Sequence, residues 1–254
     1  MIPRLGVNID HVATLRQQRA EIYPEVTRAA EVSLATGAHQ ITIHLREDRR
    51  HIQDSDVPAV HLVCRKFNLP LNLEIGCSDE MVEIASLEKP EWVCLVPEKR
   101  QERTTEGGLD VINPQNYSRI KAACDRIKKN SPQTKISLFV EASPEVLKRC
   151  ITLNADAVEI HTGEYARDAL ASKDLAPHLK QYREGAQIIK AHGWGYHAGH
   201  GLTFDSLEPL LAEKQFEEYN IGHWIVGEAL FIGFGHVIKE MLTLMQKYPL
   251  EAKS

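Results

Sequence analysis

Residues 41–51 read ITIHLREDRRH, and the first five alternate between two chemical characters. Ile41, Ile43 and Leu45 are apolar, whereas the intervening Thr42 and His44 are polar. A period of two is typical of a β-strand whose two faces meet different environments. The strand runs directly into a charged segment, residues 46–50. The stretch therefore predicts a strand followed either by a loop that binds an anionic substrate or by a loop that is only solvated.

Strand-like segments of this kind alternate with helix-like segments along the whole chain. The predicted strands cover residues 4–10, 41–45, 71–75, 91–96, 135–140, 157–161, 196–200 and 219–223. The predicted helices cover residues 24–36, 57–67, 79–87, 114–129, a short helix opened by 143–145, a long stretch ending near 192, 205–213 and 227–246. Strict alternation favours a parallel sheet. Eight such units in 254 residues predict a single α/β domain over residues 1–254, a closed (β/α)8 TIM barrel with additional helices.

An open, doubly wound sheet is the alternative architecture. Sheets of that kind bind dinucleotides with a Gly-x-Gly-x-x-Gly motif after the first strand, and the sequence has none there. The closed barrel is therefore the favoured prediction.

The composition limits the possible partners and location of the chain. A net charge of −5 provides no general attraction to nucleic acid or to an anionic membrane. The longest apolar run, residues 224–234, is interrupted by Glu228 and is shorter than the roughly 20 residues that cross a bilayer. The five cysteines form no Cys-x-x-Cys pair, which is typical of reduced, buried thiols. We expect a soluble cytoplasmic protein that binds neither nucleic acid nor membrane.

Chemically active side chains recur at the predicted ends of the strands, where barrels of this class carry their active sites. Seven of the eight predicted strands end on an ionisable or imidazole side chain, namely Asp10 with His11, His44, Glu74, Glu141, His161, His200 and His223. One such residue would carry little weight. Seven at one end of a barrel indicate an active site.

Three of these residues are the strongest candidates for proton transfer. Glu74 is a lone carboxylate in an apolar strand, and burial makes such a group a suitable general base. His44 and His200 are natural proton carriers near neutral pH, although either could equally be a structural histidine. His161 and Glu141 are assigned no role from the sequence.

The alternation within the strands also predicts the lining of the barrel. Asn72 and Glu74 share a strand face, as do Glu159 and His161, and each pair alternates with apolar residues. Apolar side chains should pack on the helices. The polar set should then point inward and form hydrogen bonds within the barrel, since unpaired buried polar groups cost several kcal/mol.

Features suited to phosphate binding are abundant. Glycine lies beside a histidine after the last two strands, at 199–201 and 222–223, where barrels commonly bind phosphate with backbone N–H groups. Guanidinium groups add further donors at Arg16, Arg19, Arg46, Arg49 and Arg50. We expect about half of these arginines to contact ligand. The polar loop 97–109 is predicted to be a lid, with an ordinary surface loop as the alternative.

Eight short motifs together resemble the pyridoxine 5′-phosphate synthase family. They are NIDH at 8–11, HLREDRRH at 44–51, NLE at 72–74, LVPEKR at 95–100, TTEGG at 104–108, EIHTG at 159–163, AGHGL at 198–202 and NIGH at 220–223. The similarity is collinear over nearly the whole chain. One departure is His197, where some relatives have asparagine.

The resemblance implies an activity, a set of partners and an assembly. It implies a (β/α)8 barrel with extra helices that forms a homo-octamer. It also implies two phosphorylated small-molecule substrates, 3-amino-2-oxopropyl phosphate and 1-deoxy-D-xylulose 5-phosphate. Their condensation would close the pyridine ring of pyridoxine 5′-phosphate and release phosphate and water, with no metal and no organic cofactor.

The resemblance further implies roles for individual residues. The proton acceptors would be His44 and Glu74, and the proton donor would be His200. The residues that hold the aminoketone phosphate would be Asn8, Arg19, Gly201, Gly222 and His223. The residues that hold the deoxyxylulose phosphate would be Asp10, His11, Arg46, His51 and Thr104. Within the charged run, Glu47, Asp48, Arg49 and Arg50 are expected to brace the loop through ion pairs.

Two other functions fit parts of the sequence. A metal-dependent barrel hydrolase could use the histidines at the strand ends as zinc ligands, although no His-x-His or His-Glu-x-x-His motif occurs there. A non-enzymatic phosphosugar-binding protein would need the arginines and glycines but not Glu74.

Overall fold

The computed structural model describes residues 2–98 and 107–250. In this part of the chain, eight parallel strands close into a barrel in chain order, and β1 pairs with β8 to complete the ring. The strands are Arg4–Asn8 (β1), Gln40–His44 (β2), Leu71–Ile75 (β3), Trp92–Leu95 (β4), Lys135–Val140 (β5), Ala157–His161 (β6), Gly195–Gly199 (β7) and Glu218–Ile221 (β8). The predicted (β/α)8 barrel is confirmed.

Eleven helices surround the barrel within the described residues. They are Asp10–Gln17 (α1), Val26–Thr36 (α2), Asp56–Phe67 (α3), Asp79–Glu88 (α4), Pro114–Asn130 (α5), Pro144–Cys150 (α6), Gly163–Leu170 (α7), Ala176–Ala191 (α8), Phe204–Glu213 (α9), His223–Ile232 (α10) and Phe234–Gln246 (α11). None of them has both the length and the apolar character needed to cross a bilayer.

Three details of the helices differ from the prediction. The long stretch after β6 is two helices, α7 and α8, and the C-terminal stretch is also two, α10 and α11. The second break occurs at Gly233, whose φ of +91° is readily adopted only by glycine. Helix α1 was not predicted from the sequence. Its N-cap residue, Ile9, has no polar side chain with which to cap a helix, so the usual start signal is missing.

Three predicted strand ends lie just beyond the strands themselves. Asp10 is the first residue of α1, and His223 is the first residue of α10. His200 follows β7 with a φ of +80°, a left-handed conformation that cannot continue a strand. The three predicted strands are therefore too long at their C-terminal ends. Their side chains nevertheless remain at the carboxyl end of the barrel, which we call the upper end.

The apolar core lies between the strands and the helices. Side chains such as Leu5, Ile41 and Leu73 are completely buried, in alternation with polar neighbours along the same strands. Burying one such side chain contributes roughly 1.5–3 kcal/mol. The stability of the barrel therefore comes mainly from this layer, which leaves the barrel interior available for polar groups.

The interior of the barrel holds a continuous network of hydrogen bonds. Asn72 Nδ2 donates to Thr42 Oγ1 (3.3 Å), and Thr42 Oγ1 donates to Asn220 Oδ1 (3.0 Å). Asn220 Nδ2 donates to Glu159 Oε2 (2.7 Å). Gln40 Nε2 donates to Asn220 Oδ1 (2.9 Å). The predicted polar interior is confirmed, with Asn72 and Glu159 both facing inward.

Strand glycines make room for this network. A Cβ atom at Gly6, directly opposite Asn220 in the ladder, would lie only 1.9 Å from Asn220 Oδ1. A Cβ atom at Gly199 would lie 2.1 Å from Glu159 Oε1. The polar side chains of β6 and β8 therefore cross space that any other residue at positions 6 and 199 would fill.

Candidate active site

A cavity of about 480 Å³ opens at the upper end of the barrel. It brings together eleven of the thirteen predicted site residues, and only Arg19 and Thr104 are not among them. The eleven are Asn8, Asp10, His11, His44, Arg46, His51, Glu74, His200, Gly201, Gly222 and His223. They come from elements as distant in sequence as β1 and α10. The chain therefore places most of the predicted set around one space.

Asp10 joins the first two strands at the rim of the cavity. Its Oδ2 accepts from Asn8 Nδ2 (2.8 Å), and its backbone N–H donates to Asn8 Oδ1 (3.0 Å). Its Oδ1 accepts from the backbone N–H of His44 (2.8 Å). The carboxylate thus fixes the backbone beneath His44 relative to β1.

His44 lies between two carboxylates. Its Nε2 is 3.0 Å from Glu98 Oε1, and its Nδ1 is 3.9 Å from Glu74 Oε2. The ring is nearly buried and sits at the end of β2, beside β3. The imidazole can therefore exchange a proton at Nδ1 while its Nε2 is held by Glu98.

Two buried carboxyls of the cavity favour their protonated forms. Burial raises the pKa of Glu74 well above its ordinary value, and the nearby charges of Glu159 and Asp10 raise it further. Burial, together with the charge of Glu218, raises the pKa of Glu159 to about 8, against a smaller opposing effect of the Asn220 hydrogen bond. Each group can hold a proton near neutral pH and release it when a positive charge develops nearby.

Four histidines lie at the upper ends of β6, β7, β8 and β1, and His11, His200 and His223 among them line the cavity. The ring centre of His200 is 5.0 Å from that of His161, and those of His11 and His223 are 4.8 Å apart. Burial, together with the smaller effect of positive charge on His161, Arg167, His11 and His223, lowers the pKa of His200 to about 4. His200 is therefore neutral in the free protein at neutral pH.

His161 and Glu141, for which the sequence predicted no role, are paired beside His200. His161 Nδ1 lies 2.8 Å from Glu141 Oε1, which also accepts from the backbone N–H of Gly108 (3.1 Å). His161 Nε2 is buried and has no hydrogen-bond partner among the described residues. The His161–Glu141 pair therefore packs beside the ring of His200.

The charged run after β2 contains residues that form ion pairs and a residue, Arg46, that lines the cavity. Arg49 pairs with Asp54 and Glu80, and Arg50 pairs with Asp48. The predicted bracing by Asp48, Arg49 and Arg50 is confirmed, although Arg50 also reaches the cavity wall. The predicted ion pair of Glu47 is not found among the described residues, where its backbone rather than its carboxylate bonds to Glu98 and Arg49. Arg46 is almost fully buried in the cavity, and its Nε makes no hydrogen bond among the described residues but lies 3.5 Å from Asp48 Oδ1.

One described residue of the predicted set does not line the cavity, another lies outside the described residues, and some lining residues were not predicted. Arg19 is exposed in the segment after α1, and Thr104 lies outside the described residues, as does most of the predicted lid. The unpredicted lining residues include Thr14, Gln18, Phe139, Glu159 and Asn220. The alternation of polar and apolar residues in β6 indicated Glu159, and the NIGH motif at 220–223 indicated Asn220. Thr14 and Gln18 belong to α1 and the residue after it, which the sequence patterns did not reveal.

Asp10, His44 and His51 could together hold a metal ion, since one ligand atom from each lies within 4.8 Å of the others. Most of these atoms already have partners. Both Asp10 oxygens accept hydrogen bonds, and His51 Nδ1 accepts from the backbone N–H of Ile52 (2.9 Å). A cation at this position would have to replace bonds that now hold the rim together.

The closed barrel and its cavity of carboxyls, imidazoles and guanidinium groups define a (β/α)8-barrel enzyme with an acid–base site. The model of the family described as "Pyridoxal phosphate biosynthesis protein PdxJ" matches residues 5–247. The chain belongs to this family, as the sequence motifs predicted. It is therefore an enzyme of a vitamin B6 biosynthesis family.

Similar proteins agree with this assignment. The pyridoxine 5′-phosphate synthase of Caulobacter vibrioides (strain NA1000 / CB15N) is 46% identical over 250 residues, which cover 98% of this chain and 97% of the relative. That of Pseudoalteromonas translucida (strain TAC 125) is 44% identical and covers 98% of each chain.

Solved structures share the fold alone. Thiamine phosphate pyrophosphorylase from Pyrococcus furiosus is 15% identical, with a TM-score of 0.62 over 96% of both chains. Phosphoribosyl anthranilate isomerase from Thermus thermophilus is 12% identical, with a TM-score of 0.59 over 97% of this chain and 100% of the other.

Proposed function

We propose that the chain condenses 3-amino-2-oxopropyl phosphate with 1-deoxy-D-xylulose 5-phosphate and closes the ring of pyridoxine 5′-phosphate, releasing phosphate and water. The observation that carries the proposal is the position of Glu74 and His44 on one wall of a cavity whose opposite wall carries His200. Every step of such a ring closure moves protons. A site with several acid–base groups around one space suits that requirement.

The two walls suit opposite directions of proton transfer. When the amine attacks the ketone, the nitrogen must lose protons and the departing oxygen must gain them to leave as water. His44 takes protons in this proposal, Glu74 takes them once it has released the proton it holds at rest, and His200 supplies them. His200 is neutral in the free protein, but two bound phosphates bring negative charge that favours its protonated form.

Each end of the cavity suits one phosphate group. His223 is the first residue of α10, so the backbone N–H groups of that helix start, with Gly201 and Gly222, suit the aminoketone phosphate. Asn8 is beside them. On the other side, Arg46 has a buried Nε that lies 3.5 Å from Asp48 Oδ1 and makes no hydrogen bond among the described residues, and His51 lines the same cavity. His11 lines the cavity next to His223, with 4.8 Å between the two ring centres. These donors suit the deoxyxylulose phosphate.

The octamer stays part of this proposal. Two large apolar side chains on α10, Leu230 and Phe231, are 69% and 82% exposed, and Ile22 near α1 is 84% exposed. Exposed apolar groups of this size are typical of surfaces that associate. The expected outcome is an octameric mass in light scattering, reduced by Phe231→Ser. A monomeric wild-type protein would contradict the assembly without affecting the chemistry.

The direct test mixes the purified protein with both phosphorylated substrates and follows pyridoxine 5′-phosphate optically. Product should form only when both substrates are present, and a chelator such as EDTA should leave the rate unchanged. Inorganic phosphate, measured in the same samples, should appear in step with the product. If the wild-type protein forms no product, the proposed function is wrong.

A further inference from the structure

Glu98, which follows β4, contacts the ring of His44, the last residue of β2. Its Oε1 lies 3.0 Å from His44 Nε2 and also accepts from the backbone N–H of Gly76 (2.9 Å). Its Oε2 accepts from the backbone N–H of Glu47 (3.0 Å). Only 8% of the side chain is exposed. Backbone donors from the ends of β2 and β3 therefore hold this carboxylate in one position.

The surroundings of Glu98 keep it ionised. Burial alone would raise the pKa of Glu98, but the hydrogen bond with His44 and the backbone N–H of Glu47 outweigh burial and hold the pKa below its ordinary value. An ionised carboxylate can only accept hydrogen bonds. The hydrogen between the two residues therefore belongs to His44 Nε2.

The other nitrogen of the ring faces the chemistry. In a neutral imidazole with hydrogen on Nε2, Nδ1 carries a free lone pair. This atom lies 3.9 Å from Glu74 Oε2, on the cavity side. The two carboxyls beside the ring thus differ in character, because the pKa of Glu74 is raised by burial whereas that of Glu98 is lowered. Because their pKa values are shifted in opposite directions, Glu74 can carry a proton whereas Glu98 remains a fixed negative charge.

We propose that Glu98 is a positioning residue that fixes His44 as the Nε2–H tautomer, so that Nδ1 is the atom that accepts the proton. The proposal deepens the proposed function and rests on it, since it takes His44 to be a proton acceptor in that reaction.

The proton balance of this step is simple. The N–H or C–H bond of the substrate breaks as an Nδ1–H bond forms on His44. The resulting imidazolium lies between Glu98 and Glu74, and the fixed negative charge of Glu98 stabilises it. Glu74, 3.9 Å away, donates the proton it already holds to the departing oxygen and can then accept the Nδ1 proton from His44. The other charged groups near the ring are Asp10, Arg46 and His51.

The first test examines the resting protein and needs no substrate. Nitrogen-15 spectra of histidine-labelled wild-type protein, with His44 assigned from a His44→Gln variant, should show the Nε2–H tautomer. In Glu98→Gln, the new amide can donate to the ring, so His44 should become a mixture of tautomers. A wild-type His44 with hydrogen on Nδ1 would overturn the proposal, whether or not the protein makes the expected product.

The second test separates positioning from simple structural support. In Glu98→Gln, kcat should fall about 100-fold with KM changed by less than about threefold, because the fixed base is lost while binding is retained. The acid limb of kcat/KM should move to lower pH, since a negative charge beside the base has gone. Unchanged kcat and an unchanged pH profile would overturn the proposal.

Two further variants control for folding and for charge. Glu98→Asp keeps the charge on a shorter side chain, so its acid limb should stay near the wild-type position even if kcat falls. Asp168→Asn removes a carboxylate that lies 3.0 Å from His178 Nε2 outside the cavity, and its kcat should stay within about twofold of wild type. Loss of activity in Asp168→Asn equal to that in Glu98→Gln would also overturn the proposal.

Discussion

The barrel buries carboxylates in two opposite ways, which Glu218 at the lower end and Glu74 at the upper end illustrate. At the lower end, Glu218 is 3% exposed, and its Oε2 accepts from Arg4 Nε (2.9 Å) while its Oε1 accepts from Gln40 Nε2 (2.6 Å). Burial alone would raise the pKa of Glu218, but His197 and Arg4 outweigh it and hold the pKa below its ordinary value. At the upper end, burial and like charges raise the pKa of Glu74 and Glu159.

The difference separates a structural carboxylate from a reactive one. Both carboxylates lose hydration free energy when they are buried. A buried ion can offset that loss through a nearby cation and hydrogen bonds. Glu218 has these partners, so it stays ionised and stabilises the closure of β8 on β1. Glu74 is surrounded instead by other acids, so it favours its proton. The barrel thus concentrates proton-carrying groups at the end where the cavity opens.

The largest effect should follow from removing the reactive carboxyl at the upper end. Glu74→Gln should lower kcat by about 1,000-fold, because an amide cannot carry a proton between substrate and site. Thermal unfolding should be unchanged or occur at a higher temperature, since a buried group with raised pKa near Glu159 and Asp10 is removed. Turnover within tenfold of wild type would show that Glu74 is not a proton acceptor.

Glu159→Gln should change how stability depends on pH. The pKa of Glu159, about 8 in the folded protein, lies above its ordinary 4.5, so the folded state retains a proton that the unfolded state has released. Wild-type stability should therefore decline between pH 4.5 and 8, by up to about 1.4 kcal/mol per pH unit from this group. Urea unfolding at three pH values should show a smaller decline in the variant. Parallel stability curves would contradict the raised pKa.

At the lower end, Arg4→Met should reduce stability by about 2 kcal/mol, less than for a fully buried pair because 38% of the Arg4 side chain is exposed. The lowered pKa of Glu218 contributes stability above its unfolded pKa and loses that contribution as pH falls. The deficit should therefore shrink in acid. The activity per folded molecule should stay within about threefold.

A matched control for that variant is Arg126→Met, which breaks an exposed pair with Glu83. It should cost less than about 0.5 kcal/mol at any pH. Equal losses in the two variants would remove the distinction between a buried structural pair and a surface pair.

Apart from that control, the smallest effect should come from a histidine outside the barrel. Burial would lower the pKa of His61, but hydrogen bonds with Glu91 and Glu88 outweigh it and raise the pKa. Its stability contribution is complete below pH 6.5 and is lost as pH rises through the raised pKa. His61→Gln should therefore cost about 1 kcal/mol at pH 6 and less at pH 9, measured by urea unfolding. A cost that grows with pH would contradict this assignment.

Much of the fold and of the site follows from local pattern. The period of two and the strict alternation of elements predict a parallel barrel, and the strands of such a barrel must bring their carboxyl ends together. That geometry is why eleven of the thirteen predicted residues line one cavity. Tertiary contacts set the rest. The pairing of His44 with Glu98 joins residues 54 positions apart, and the conformation of the segment that carries Arg19 has no periodic signal.

The strand glycines determine the order in which substitutions can be introduced into this pocket. Gly199 has no chemistry of its own, yet a methyl group there would overlap Glu159, which carries one of the raised pKa values. Alanine at position 199 should therefore be harmful alone and better tolerated once residue 159 is shortened. Gly6 and Asn220 have the same dependence on the neighbouring strands β1 and β8. Redesign of this pocket must begin with the side chains that cross the barrel and reach the glycines afterwards.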